Sequence, residues 1–144
     1  MLDLKNQTSQ QKAMEAFFFG YQAFTAKADE MLERRGLSRV HQRIVFFIAR
    51  YPGLNVKELL KLLGVSKQAL NMPLRQLQEM HLVESVASET DKRKRLLELS
   101  TEGLRFEQSL RREQVKLLQR AFNEAGEEAV NGWLAVNLAL SAVN

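Results

Sequence analysis

Residues 55–78 read NVKELLKLLGVSKQALNMPLRQLQ, and residues 82–99 read LVESVASETDKRKRLLEL. In the first stretch Asn55 is followed three residues later by Glu58, a variant of the capping box that opens a short helix. Leu59, Leu60 and Leu63 give that helix one apolar face, and Gly64 ends it. Two residues on, Ser66 caps a second helix, where Ala69, Leu70, Leu74 and Leu77 recur at helical spacing. In the second stretch Leu82-Val83-Glu84-Ser85-Val86 alternates loosely. Leu96, Leu97 and Leu99 then follow a polar run from Ser88 to Arg95. Two short extended segments about a charged tip predict a β-hairpin, without the Asn-Gly or Asp-Gly of the tightest turns.

Helix, glycine turn, helix and basic-tipped hairpin form a winged helix-turn-helix pattern. The first helix buttresses the second, and the second presents a polar face that can lie in a major groove about 12 Å wide. With Leu70, Leu74 and Leu77 turned inward, Lys67, Gln68, Asn71, Arg75 and Gln78 fall on the other side. Amide side chains can pair with adenine, and Lys or Arg with guanine or phosphate. Ser66 stands at a helix N-terminus, whose free N–H groups and positive dipole end suit a phosphate. Lys92, Arg93, Lys94 and Arg95 place consecutive positive charges at the hairpin tip, where they can reach an adjacent minor groove.

Helices flank this region on both sides. From about Ser9 to Arg35 the apolar residues Met14, Phe17, Phe18, Tyr21, Phe24, Ala28, Met31 and Leu32 trace one helical face, closed by Gly36. Ser38 caps the next helix, which carries Val40, Ile44, Phe47 and Ile48 and stops before the turn Tyr51-Pro52-Gly53. After the hairpin, Ser100-Thr101-Glu102 opens a helix running through Leu104, Leu110, Val115, Leu117, Leu118 and Phe122, and Gly126 interrupts it. A last helix, from Glu127 to Val143, is apolar on nearly every side and holds Trp133. The expected fold is mainly α with a small β-hairpin wing. It forms a single domain over 1–144, with a winged helix-turn-helix region at 37–100 and dimerisation helices at 9–35 and 101–143. A chain of 144 residues would struggle to bury both the aromatic face of the first helix and the last helix by itself, and such surfaces usually mean a partner.

The composition is that of an ordinary globular protein, with 45% hydrophobic and 26% charged residues, and two Pro and seven Gly argue against a low-complexity or collagenous chain. The net charge of +4 is compatible with a nucleic-acid partner without requiring one. With no cysteine there is no disulfide and no thiolate metal site, and two histidines alone make a poor metal centre, so no metal or cofactor is expected. The polar start MLDLKNQTSQQK lacks the layout of a signal peptide, and no apolar run reaches the ~20 residues of a membrane span. A soluble, cytoplasmic protein is expected. P-loop, HExxH, GxSxG and dinucleotide fingerprints are absent, and the carboxylates of Glu127 and Glu128 are adjacent and not facing, so no enzyme is expected.

The stretch from Leu37 to Leu104 resembles the MarR family of bacterial transcription regulators. The resemblance rests on Gly36-Leu37-Ser38, on Tyr51 through Leu59, on Leu63-Gly64-Val65-Ser66, and on Leu77 through Leu82-Val83. Its most specific part is Asp91-Lys92-Arg93 followed by Leu99-Ser100-Thr101-Glu102-Gly103, similar to the family's wing signature. It implies an obligate homodimer in which the first, fifth and sixth helices interlock, and two winged regions that read the halves of a pseudo-palindromic double-stranded DNA operator. It further implies a repressor whose DNA affinity responds to a small aromatic or anionic effector bound between the dimer region and the winged region. Arg93 stands where the family's wing arginine enters the minor groove, and Asp91 where an acidic residue steadies that loop. Lys67, Gln68 and Asn71 occupy the exposed half of the recognition helix.

Three features depart from the family pattern. Pro73 lies inside the second helix of the motif, where it removes a bond to the Ala69 carbonyl; either the helix kinks there or it begins later than Ser66 suggests. His81 stands where the family commonly has glycine. Lys94 and Arg95 make the tip more basic than the pattern requires. The competing reading is a winged-helix module that binds protein and has no specific DNA target. The aromatics Phe17, Phe18, Phe19, Tyr21, Phe24, Phe46 and Phe47 could line an effector pocket, but helical spacing is more simply explained by core. His41 is expected to pack or hydrogen-bond, and the last helix, lacking a basic polar face, to serve as dimer core and not to lie on a membrane.

Overall fold

The computed structural model describes residues 4–142, so Val143, read as part of the last helix, lies outside them. The order is α1 (Gln7–Glu33), α2 (Arg39–Arg50), α3 (Val56–Leu63), α4 (Lys67–Glu79), β1 (Val83–Ala87), β2 (Arg95–Leu99), α5 (Thr101–Ala125) and α6 (Glu127–Ala142). Two compact units result: one runs from Ala28 to Arg111, and the other comprises the residues up to Lys27 and from Arg112 onward. Among the described residues no helix is long and apolar enough to cross a membrane.

The Ala28–Arg111 unit owns the hydrophobic core. Leu32, Ile44, Val45, Leu59, Leu70, Leu77 and Leu82 are fully enclosed, with Leu97 and Leu110 nearly so. Local signals set the helix boundaries. Asn55 Oδ1 accepts from the Glu58 amide at 2.8 Å while Glu58 Oε1 accepts from the Asn55 amide at 3.1 Å, the reciprocal box read from sequence. Ser66 Oγ accepts from the Ala69 amide at 3.1 Å, so α4 begins where its cap places it. It continues through Pro73 without a break. A later start is excluded.

α1 and α4 end in the same way. At the end of α1, Gly36 takes φ +72°, its amide donates to Glu33 O at 3.0 Å, and the Leu37 amide donates to Leu32 O at 2.9 Å. At the end of α4, His81 takes φ +60°, its amide donates to Gln78 O at 3.0 Å, and the Leu82 amide donates to Leu77 O at 2.9 Å. Both are Schellman caps with a buried leucine pair across the closing bond. The second puts a histidine where the backbone favours glycine.

β1 and β2 pair antiparallel, from Val83 opposite Leu99 to Ala87 opposite Arg95. The Leu97 amide donates to Leu54 O at 2.7 Å, which ties the hairpin to the segment before α3. At the hairpin base Ser100 Oγ donates to His81 O at 2.6 Å and accepts from the Gly103 amide at 2.9 Å. The first turn of α5 therefore lies against the backbone of Leu82, so closely that a Cβ on Gly103 would overlap the Leu82 carbonyl. One turn later both carboxylate oxygens of buried Glu107 accept from Arg111 Nε, at 2.8 and 3.0 Å.

The second unit has no comparable core. Among its described residues only Thr25 is buried. Phe122 and Trp133 meet edge-to-face at 5.4 Å, and Gln114 Nε2 donates to Phe24 O at 3.5 Å. Met14, Phe17, Phe18, Phe19, Leu134, Val136, Leu138 and Leu140 are exposed.

Two substitutions test the caps and the close approach. Gly103→Ala forces a methyl against backbone that cannot turn aside, and should lower stability by about 1–3 kcal/mol in urea unfolding. His81→Gly removes the left-handed penalty and should raise stability by about 1 kcal/mol. An unchanged midpoint in either variant would show that the corresponding geometry carries no energy.

Candidate nucleic-acid interface

α4 and the hairpin are carried by one core. Leu70, Leu74 and Leu77 on α4 are buried, and so are Leu82 just before β1, Val83 at its start and Leu97 on β2. Only Met80, His81 and Leu82 separate the helix from the strand. A second fastening comes from His41. Its Nδ1 accepts from the Ser38 amide at 3.0 Å, so its Nε2 carries the hydrogen and donates to Gln76 Oε1 at 2.8 Å. The N-terminus of α2 is thereby joined to the middle of α4. His41 is buried and hydrogen-bonded, as the sequence suggested.

On the side of α4 away from the core, Lys67, Gln68, Asn71 and Arg75 are all exposed. Ser66 is exposed as well, but its hydroxyl is occupied by the Ala69 amide. Gln78 is half-buried. Sequence reasoning passed over Met72, which is 70% exposed on the same side. Methionine reads as core filler, yet its position, four residues after Gln68 and off the Leu70–Leu74–Leu77 stripe, already turned it outward.

The hairpin tip is a built turn. Lys94 N donates to Asp91 O at 2.9 Å, and Ser88 N donates to Lys94 O at 2.9 Å. Asp91 Oδ1 accepts from the Arg93 amide at 3.1 Å, an Asx turn, and lies 3.4 Å from Arg93 Nε. Ser88 Oγ accepts from the Thr90 amide at 3.3 Å. Lys92, Arg93 and Lys94 are exposed beyond this turn. Arg95 is exposed too, but its guanidinium donates back to Ser85 O at 2.6 Å and to Ser85 Oγ at 3.2 Å. The four cations are therefore not equivalent: three project from the tip and the fourth braces the strands.

Comparison with known proteins identifies the arrangement. Residues 35–94 match the profile of the MarR family. The HTH-type transcriptional regulator PetP of Rhodobacter capsulatus is 42% identical over 125 residues, which span 87% of this chain and 75% of PetP. The chain belongs to the MarR family of transcription regulators. Two solved MarR-type structures share the fold. Streptococcus pneumoniae FabT in complex with DNA superposes with a TM-score of 0.79 at 20% identity, covering 94% of this chain and 99% of FabT. Staphylococcus aureus MarR in complex with salicylate and kanamycin gives 0.72 at 20% identity, covering 94% and 95%. The MarR family is one of regulators, not of enzymes, and among the described residues no cluster of three metal-ligating side chains occurs.

The Ala28–Arg111 unit also holds a cleft of about 490 Å³ lined by Met31, Arg35, Glu102, Arg105, Phe106 and Ser109. The Arg35 guanidinium sits 4.6 Å from the centre of the Phe106 ring. These residues come from the end of α1, the turn after it and the first turns of α5, and no local motif joins them in the sequence.

The tip geometry predicts a specific local effect. Asp91→Ala removes the acceptor of the Arg93 amide, so that amide should exchange with deuterium faster. Global stability should fall by about 1 kcal/mol or less. Unaltered protection at Arg93 would mean that Asp91 does not shape the turn.

Proposed function

We propose that two copies of this chain bind double-stranded DNA sequence-specifically at a pseudo-palindromic operator in the cytoplasm and repress transcription until a small effector intervenes. The observation that carries this reading is the pairing, in one compact unit, of an outward polar face on α4 with a hairpin tip that exposes Lys92, Arg93 and Lys94. Lys67, Gln68, Asn71 and Arg75 are placed for base edges and phosphates in a major groove, and the N-terminus of α4 behind Ser66 for a phosphate. Lys92, Arg93 and Lys94 are placed for the minor groove and its phosphates. Arg95 stiffens the hairpin that delivers them, and Asp91 sets the turn. The relative FabT was solved with DNA, which supports the same mode here.

The dimer reading rests on the second unit. Helical segments that bury almost nothing by themselves, and that expose Phe17, Phe18, Phe19, Trp133 and Leu134, need a cover, and a second copy supplies the same apolar surface. Two-fold symmetry then matches two half-sites about one helical turn apart. Effector control is supported by the cleft of Arg35, Arg105 and Phe106, whose chemistry suits an aromatic anion, and by the salicylate bound to the staphylococcal relative.

Gel shift against DNA upstream of the gene, over a series of salt concentrations, tests the reading. The logarithm of affinity should fall linearly with the logarithm of salt. Lys92→Ala or Arg93→Ala should flatten that slope by about 1 for each phosphate the variant no longer neutralises. Sedimentation should give twice the chain mass, and Phe18→Glu combined with Leu134→Glu should reduce both mass and DNA affinity. Failure to retain even bulk genomic DNA at about 50 mM salt would leave a protein-binding module instead.

A further inference from the structure

We infer that Met72 is a specificity-determining residue that reads the 5-methyl group of a thymine in each operator half-site. The inference rests on the DNA-binding reading above and goes beyond it by naming a base and the chemical group recognised.

Met72 is the most exposed large hydrophobic side chain among the described residues, at 70%. Other exposed apolar residues, such as Phe17, Phe18 and Leu138, lie in the unit that lacks a core, where a second copy can cover them. Met72 lies in the other unit, on a helix whose inward leucines are already enclosed. At 100° per residue its side chain leaves α4 about 170° round the axis from the mean direction of Leu70, Leu74 and Leu77. It therefore lies on the outward face, one turn after Gln68 and with Asn71 and Arg75 to one side, while on the other side half-buried Gln76, bonded to His41, marks where that face meets α2. If this face enters a major groove, Met72 comes within reach of the base-pair edges.

Only one group on those edges offers an apolar surface: the C5-methyl of thymine. Gln68, Asn71 and Arg75 can satisfy donors and acceptors, and a thioether cannot replace them. An unbranched, polarisable methionine can instead close on a methyl and follow small shifts of the duplex. Placed over a cytosine edge it would cover the N4 donor and offer it only a weak sulfur acceptor, which disfavours that base. Attraction to the methyl and exclusion of the amine act in the same direction.

The experiment uses the full chain and a duplex it selects from a random pool. Each thymine is replaced in turn by deoxyuridine, which deletes only the methyl, and affinity is followed by fluorescence anisotropy. One thymine per half-site should show a drop in affinity of about fourfold for the wild type, the effect of one buried methyl. At that position Met72→Ala should bind thymine and uracil duplexes alike, while Met72→Leu should keep the preference. A thermal melt confirms that each variant is folded, as expected for a side chain outside the core. If no deoxyuridine position distinguishes the wild type from Met72→Ala, or if the alanine variant weakens both duplexes equally, the inference is overturned while the DNA-binding reading stands. If the chain selects no sequence at all, both fail, and the selection step alone reveals it.

Discussion

The approach of Gly103 to the Leu82 carbonyl constrains more of this molecule than any other single feature. Leu82 is fully buried at the junction between α4 and β1, so its backbone cannot retreat without moving both. Ser100 completes the joint, with its hydroxyl on His81 O and its amide donating to Leu82 O at 3.1 Å. Each hydrogen bond contributes about 1 kcal/mol, but the steric demand decides the residue. Only a residue without Cβ lets α5 begin this close to the end of α4. The run Leu99-Ser100-Thr101-Glu102-Gly103 is thus a packing requirement that fixes where the hairpin leaves the body of the protein.

The helix that this joint anchors tolerates two local violations. Pro73 deprives the Ala69 carbonyl of its helical partner, a cost of up to about 3 kcal/mol, and His81 in the left-handed region adds about 1–2 kcal/mol. Burial offsets them. Leu70, Leu77 and Leu82 are fully enclosed and Leu74 is nearly so, and each contributes about 1.5–3 kcal/mol. The core and the Schellman bonds hold a helix that propensity alone would interrupt.

Features encoded within a few residues were legible in the sequence. The Asn55–Glu58 box, the Ser66 cap, the Gly36 and Gly64 stops and the leucine stripe of α4 all emerge where periodicity and capping chemistry place them. The hairpin was legible despite lacking a tight-turn dipeptide, and the structure shows why: the Asp91 side chain and Ser88 supply the bonds that Asn-Gly geometry would otherwise provide. Interactions between distant residues were not legible. His41 meets Gln76 across 35 positions, and Arg35 reaches Phe106 across the whole winged region. Neither pair leaves a pattern in one sequence. Arg95 was indistinguishable from its three basic neighbours until the strand register set it diagonally across from Ser85. The hydrophobic label of Met72 hid a direction that the helical wheel already contained.

The wing shows how a loop can be rigid in its backbone while its cations stay available. Asp91 holds the Arg93 amide at 3.1 Å, whereas its approach to the guanidinium is longer, at 3.4 Å, and that side chain is 93% exposed. An ion pair so open to solvent holds its partners weakly. Releasing the Arg93 side chain toward a nearby phosphate or groove therefore costs little, and the backbone bond that sets the turn survives the release. Arg95 works the other way: anchored to Ser85, it limits the splay of the strands and so the range over which the tip can wander. Rotamer and backbone freedom surrendered on binding subtracts directly from affinity. A tip preset by Asp91, Ser88 and Arg95 leaves mainly the side chains of Lys92, Arg93 and Lys94 to be ordered by the proposed duplex.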